Sequence, residues 1–436
     1  MLIHRRSLAA ALIASLVCGW LSPARSSAQE PSDLSATSLA VAPQDAAFFM
    51  TAIDLKKSWD RFIQGNFVKS LRRVDYIQTL EQEITRQWEN PQGQAAELKS
   101  TLQNPNVRDL LSLAADMAGQ EFFIYGQDDW CDAFENLSAF QSQLMIRIQE
   151  DPDSVDEFFN ELDRQTVDGL RLPTTIIGFR LTNANLAAQQ LDALEGILRV
   201  VASQDDDLRP FIEKLRRTDL ADGQTLTLTL DTSLIPLDSL DDDERLIADK
   251  VVELLEGRSF SVSFGVRENL LLIGMGEHTD LLEQVGQAPE QLIDHPRMSV
   301  LKEAQVSDLR MVTFVSQRWR QTQWDANFAH YFRNLLGQFS VAIDSEAEQI
   351  ADAEQWKAEL LADAERLDEL VGQMAPEYGD SLGWSYAIPG GSEGWGYDWT
   401  SKLWFENDNP LQILEHAGGD SLFLMAFKQR SLSALK

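Results

Sequence analysis

The sequence predicts an α+β protein: long amphipathic helices packed on antiparallel sheets, in two related halves with the second incomplete. Three features carry this expectation. Residues 259–266 alternate polar and apolar side chains, with Phe260, Val262, Phe264 and Val266 on one side, the period of a half-buried strand. Residues 70–88 instead space Leu71, Val74, Ile77, Leu80, Ile84 and Trp88 three or four apart, which makes one face of a helix. A short unit, a buried strand leading into a Trp-bearing helix, occurs at residues 45–62 and again, loosely, at 308–332.

The other elements follow in order. After the first unit and the 70–88 helix, Asn90-Pro91-Gln92-Gly93 breaks the chain, a second helix runs to about Leu102, and residues 107–118 form a third with Gly119 just past its end. Residues 121–125 read as a buried strand. Residues 137–148 and 154–163 read as helices, 173–182 as a strand and 185–201 as a helix. Strict Thr/Leu alternation makes 225–230 a strand, and 240–256 reads as a helix. Residues 259–266 and 270–274, joined by Arg267-Glu268-Asn269, predict an antiparallel hairpin. A short helix at 279–285 and a linker at 287–296 complete the first half, residues 41–290 with its tail.

The second half, residues 301–436, repeats the order: a strand at 309–315, then a helix at 319–336. Ser345 and Glu348 form a capping box for a long helix, 346–374, whose apolar seam includes Trp356 and Leu360. An aromatic hairpin follows at 382–405. Trp384, Tyr386 and Ile388 alternate on one strand, Trp395, Tyr397 and Trp399 on the other, around a Gly-rich loop. Residues 411–416 read as a short helix and 422–427 as a last strand, after which the chain stops where the next helix is due. A duplication of this kind places the two unit strands at equivalent positions in two similar sheets. Strands lying side by side in one sheet contradict it. The matching rests on element order rather than identities, and a chain without a repeat is the alternative.

Composition narrows the function. The 436 residues are 44% hydrophobic, enough for two or three domains with a large core. Lys and Arg number 37 against 69 Asp and Glu, a formal net charge of -32, so no basic footprint for nucleic acid exists. The acidic runs Asp205–Asp207 and Asp241–Glu244 lack the alternating ligands and central Gly of a calcium loop. The second suits the first turn of a helix, where carboxylates meet the positive end of the dipole.

The N-terminus carries an address. His4-Arg5-Arg6, the apolar stretch 8–21 and the small residues Ser26-Ser27-Ala28 make residues 1–28 a cleavable secretory signal peptide, with Gln29 first in the mature chain. Residues 29–40 are expected to be a disordered linker, and the location periplasmic or secreted. Only Cys131 then remains, which excludes an intrachain disulfide. No later apolar run is long enough to span a membrane, so no anchor is expected after cleavage.

Few motifs point to chemistry. Gly390-Gly391-Ser392-Glu393-Gly394 fits G-x-S-x-G, but the residues after Ser392 read as a strand, not the helix a nucleophile elbow needs. Gly274-Met275-Gly276 lacks the third glycine of a dinucleotide fingerprint. His278, His295, His330 and His416 show no metal-ligand spacing, so neither a metal nor a cofactor is expected. The candidate binding residues are Trp384, Trp395, Tyr397 and Trp399, whose rings suit either a glycan or a protein partner, or else core packing against the long helix.

Ala42-Pro43-Gln44-Asp45-Ala46, the segment Glu393–Trp399, and Pro410–His416 with Gly418-Gly419-Asp420 resemble bacterial extracytoplasmic proteins of unknown function. The resemblance implies an exported chain and no catalytic residues. The function expected is a non-enzymatic binding or scaffolding protein of the cell envelope. The alternatives are a serine hydrolase using Ser392 and carbohydrate binding through the Trp-rich hairpin.

Overall fold

The computed structural model describes residues 33–90, 105–150, 169–204, 209–220, 222–234, 257–326, 376–388 and 391–401, with isolated residues at 252, 255 and between 355 and 366. The expected helix running to about Leu102, those at 154–163, 240–256 and 411–416, the strand at 422–427 and the signal peptide lie largely or wholly outside these residues. So does most of the 346–374 helix, although its described residues are helical and Trp356 of its seam is exposed.

Two compact units divide the chain: the first is Met1–Ala133, Val167–Phe314 and Leu382–Gly396, the second Phe134–Thr166, Val315–Ser381 and Tyr397–Lys436. Among the described residues ten strands make one sheet: β1 (Phe48–Ile53), β2 (Glu121–Gly126), β3 (Thr175–Arg180), β4 (Leu215–Leu220), β5 (Gly223–Asp231), β6 (Ser259–Arg267), β7 (Leu270–Gly276), β8 (Leu309–Val315), β9 (Ser381–Ile388) and β10 (Gly391–Asp398). Their order is β10-β9-β8-β1-β2-β3-β7-β6-β5-β4, and every pairing from β1 through to β4 is antiparallel. The α+β class therefore holds. The two-sheet duplication does not: β1 and β8, the two unit strands, are neighbours in a single sheet. Their further neighbours also differ, since β10 follows β9 directly while a helical excursion separates β2 from β3.

Helices α1 (Leu55–Gln64), α2 (Asn66–Leu71), α3 (Asp75–Glu89) and α4 (Pro105–Met117) lie between β1 and β2. Pro105 starts α4, a position where its missing N–H costs nothing. Helix α5 (Asp129–Glu150) follows β2, α6 (Ala184–Gln204) and α7 (Arg209–Glu213) follow β3, and α8 (Ser299–Ala304) and α9 (Gln317–Trp324) flank β8.

Register assigns the sheet two faces, because directly paired residues share a side. On one face Phe48 and Met50 of β1 continue into Phe122, Ile124, Ile177, Phe179, Leu271, Ile273 and Phe264. Helices α4 and α6 pack here: Leu113 and Ala187 meet Leu181 and Val266, and Leu191 meets Leu215 and Leu226. The opposite face carries the tightest core, with Phe49, Phe123, Tyr125, Ile176 and Leu272 all buried. Mostly irregular chain covers it, with 3-10 turns and the short helix α8. Residues 33–47 supply Leu39, Ala42, Ala46 and Ala47, and residues 281–301 supply Leu282, Leu292, Met298 and Leu301. The two segments also bond to each other, through Gln44 N to Glu290 O and Leu292 N to Ala42 O.

This corrects two expectations. Residues 33–40 are not disordered: they form 3-10 turns at Leu34–Ala36 and Ser38–Ala40, with Ser38 and Leu39 buried. Residues 279–285 form turns rather than a helix, with Leu281, Leu282 and Val285 buried.

One carboxylate joins these parts. Glu121 faces the coil-covered side and is only 3% exposed. Its Oε1 accepts from Ser38 N at 2.8 Å, Ser38 Oγ at 2.6 Å and Thr51 Oγ1 at 2.9 Å, while Oε2 accepts from Arg180 Nε at 3.0 Å. Replacing Glu121 with Ala removes the acceptor of both Ser38 bonds and of Arg180 Nε, and leaves Thr51 Oγ1 only the Phe122 carbonyl. The expected loss is about 3–5 kcal/mol, read from urea denaturation of the mature chain. Ser38→Ala, which removes one bond, is expected to cost about 1 kcal/mol.

Candidate functional site

The aromatic hairpin forms as expected, but the structure separates its four candidate residues. Trp384 on β9 is 4% exposed and belongs to the core beside buried Leu382. Trp395 on β10 is 54% exposed, and its indole N–H donates to the Tyr386 hydroxyl at 3.4 Å. Every residue of β10 is exposed, as an edge strand allows. Three of its eight residues, Gly391, Gly394 and Gly396, carry no side chain. A Cβ at Gly391 or Gly396 would meet nothing within 4 Å, so packing does not demand glycine there. Glycine weakens a strand, and at these positions it leaves the backbone groups of an edge uncovered. The opposite edge differs: β4 presents Arg216, Arg217 and Asp219, charges that discourage pairing with another strand.

Tyr397 and Trp399 belong to the second unit, where their rings stack at 5.7 Å. That unit is arranged around Arg320 on α9. Its guanidinium grips Asp398 at 2.8 and 2.9 Å, and also donates to Gly379 O at 2.8 Å and Thr400 Oγ1 at 2.9 Å. It lies over the Tyr378 ring, 4.9 Å from its centre. Burial would raise the Asp398 carboxyl, but the bonds from Arg320 and Thr400 outweigh it and hold the group below its ordinary value. Burial raises the Tyr378 phenol. Trp319, on the same helix, is buried edge-on against Phe134 at 5.2 Å. Sequence spacing marked α9 as a helix but gave no sign that Arg320 would bind Asp398 at the end of the hairpin's second strand.

The catalytic alternatives gain no geometry. Ser392 is the second residue of β10 and the chain stays extended after it, so the sharp strand-to-helix turn of a nucleophile elbow is absent. Gly274-Met275-Gly276 ends β7, which is antiparallel to both neighbours, not part of a βαβ unit. His295 packs on Phe314 at 4.9 Å and its Nδ1 accepts from Arg297 N. His330 and His416 lie outside the described residues. Among the described residues no group of three acids, histidines or cysteines is placed to hold a metal ion, and no helix is long and apolar enough to cross a membrane.

A second charged cluster escaped the sequence reading. Asp54 and Asp308, both in the left-handed region at φ 51° and 59°, flank the buried Arg310. Arg310 bonds to the Asp308 carboxylate and, at 3.2 Å, to the carbonyl of Asp54, and Arg61 reaches Asp308 at 2.6 Å. Asp54 and Arg61 are far in sequence from Asp308 and Arg310, so only the fold brings the two pairs together.

Comparison with family models, with curated proteins and with solved structures returns no match. The site must be judged on its geometry alone.

Arg320→Met is expected to lower the stability of the mature chain by about 2 kcal/mol, the scale of lost charge-assisted hydrogen bonds, in urea melts followed by tryptophan fluorescence. Because folding lowers the Asp398 pKa, its contribution is present above the unfolded value of about 4 and is lost as pH falls through the folded value. The difference between parent and Arg320→Met should therefore be constant from neutral pH to about 5 and shrink below about 4.

Proposed function

We propose that the chain is an exported, non-enzymatic binding or scaffolding protein of the cell envelope, and that β10 is its docking edge. The observation that carries this is the exposed, glycine-rich edge strand bearing Trp395. An extended segment of a protein partner can add to such an edge through main-chain hydrogen bonds, with the neighbouring side chains setting specificity. An exposed indole adds contact area at low entropic cost and is enriched at interfaces. The export signal at residues 1–28 supports the location, and long amphipathic helices over the sheet are part of the same reading.

A glycan is the second reading, favoured by the exposed Trp395 and Tyr397 rings, whose faces suit a sugar ring. Trp384 takes no part in either reading, because its ring is in the core.

Site-specific photo-crosslinking separates these outcomes. A crosslinking amino acid at position 395 is expected to give a discrete protein adduct in the intact envelope, and the same residue at Thr218 on the charged β4 edge is expected to give none. Equal labelling at both positions, or none at 395, contradicts the docking edge. Loss of the adduct on adding soluble envelope glycan fragments favours the second reading.

A further inference from the structure

The first two helices after β1 form a surface of a different kind. Residues 55–74 hold six basic residues, Lys56, Lys57, Arg61, Lys69, Arg72 and Arg73, against one acid, Asp60, in a chain whose net charge is -32. On α1 the apolar residues Leu55, Trp59, Phe62 and Ile63 recur at the spacing of a single stripe, with Lys56 at its border and Lys57 and Arg61 on the other side. In a globular protein such a stripe faces the core. Here no residue of α1 is buried: Phe62 is 51% exposed and Trp59 is 38% exposed, with their rings 5.8 Å apart. Leu71 at the end of α2 and Val74 beyond it extend the exposed apolar surface.

The polar side is tied to the protein. Arg61 bonds to Asp308, Lys57 to Asp54 at 2.5 Å, and Arg310 to the Asp54 carbonyl that precedes the helix. Arg72 pairs with Glu81 at 3.2 Å. Lys56, Lys69 and Arg73 carry no ion pair among the described residues. The fold therefore anchors α1 by its charged side and leaves an apolar stripe, rimmed by unspent positive charge, at the surface.

We propose that residues 55–74 dock the protein on an anionic lipid bilayer. A helix with Trp, Phe and Leu on one side and Lys and Arg on the other lies in the headgroup plane, and Trp is favoured at that depth. Each basic residue near an anionic surface strengthens binding by roughly fivefold. The acids elsewhere on the chain oppose approach, but beyond the ~8 Å Debye length they are largely screened. Charge and apolar insertion are thus both needed, and the segment supplies both.

Sedimentation of the mature chain with phosphatidylcholine vesicles, with and without phosphatidylglycerol, tests this. Partition onto the phosphatidylglycerol vesicles is expected to exceed that onto phosphatidylcholine alone by at least about tenfold. The triple variant K56Q/K69Q/R73Q changes only unpaired surface cations and is expected to retain the parent's circular dichroism and melting curve. It should lower the partition by on the order of 100-fold. Trp59→Ala should also weaken it while the charges remain. Absence of vesicle binding, unchanged binding by the triple variant, or binding to poly-glutamate with none to vesicles overturns the proposal, the last in favour of an acidic protein partner.

Discussion

The Glu121 carboxylate is the constraint on which the covered face of the sheet depends. It is buried in a strand, where an uncompensated charge costs several kcal/mol. Four donors compensate it, from three places in the chain: Ser38 in the N-terminal coil, Thr51 on β1 and Arg180 on β3. The charge thereby fixes which stretch of coil lies on the sheet. With Ser38 held, Leu39 and Ala42 are buried, and the carbonyl of Ala42 accepts from Leu292 N of the second coil segment. Close approach is built into the sheet itself. Gly178 lies beneath the Phe123 ring, where a Cβ would sit 2.1 Å from ring carbon.

The two faces of the sheet are finished differently, and the difference bears on function. One is sealed by coil, 3-10 turns and the short helix α8, which bury Leu39, Leu282, Leu292, Met298 and Leu301. On the other, α4 and α6 place residues in core clusters; no residue of α1 is buried. The lateral edges differ as well. At β4 the edge is charged; at β10 it is glycine-rich, with an exposed indole. An uncovered edge and an uncovered helix stripe are both liabilities for a protein that works alone. For one that holds a partner or a surface they are the means of attachment.

Period-2 patterning made most of the sheet legible. Residues 259–266, 270–274 and 309–315 were readable as strands because alternating apolar side chains must face a core, and β6, β7 and β8 lie there. The β4 strand, Leu-Arg-Arg-Thr-Asp-Leu, was missed for the converse reason: an edge strand with four exposed residues keeps no apolar alternation. Residues 33–40 looked disordered because Ser, Thr and Ala offer no periodicity, yet a buried carboxylate 83 positions away holds Ser38 in place. Alternation identified the aromatic hairpin but could not say which indole was covered, since that depends on strand order. Trp384 and Trp395 differ in burial because β9 has a strand on each side and β10 has one.

The central claim is that residues 38–47 are part of the core and not a tether to it. Amide hydrogen exchange of the mature chain, resolved by peptide, tests that directly. Ser38 N bonds to Glu121, and Ala47 N to Gly126 O. The account predicts that these amides, with that of Leu292, exchange as slowly as the β1–β2 ladder and in the same cooperative opening. Exchange of residues 38–47 at the rate of an open chain, while β1 and β2 stay protected, would contradict it.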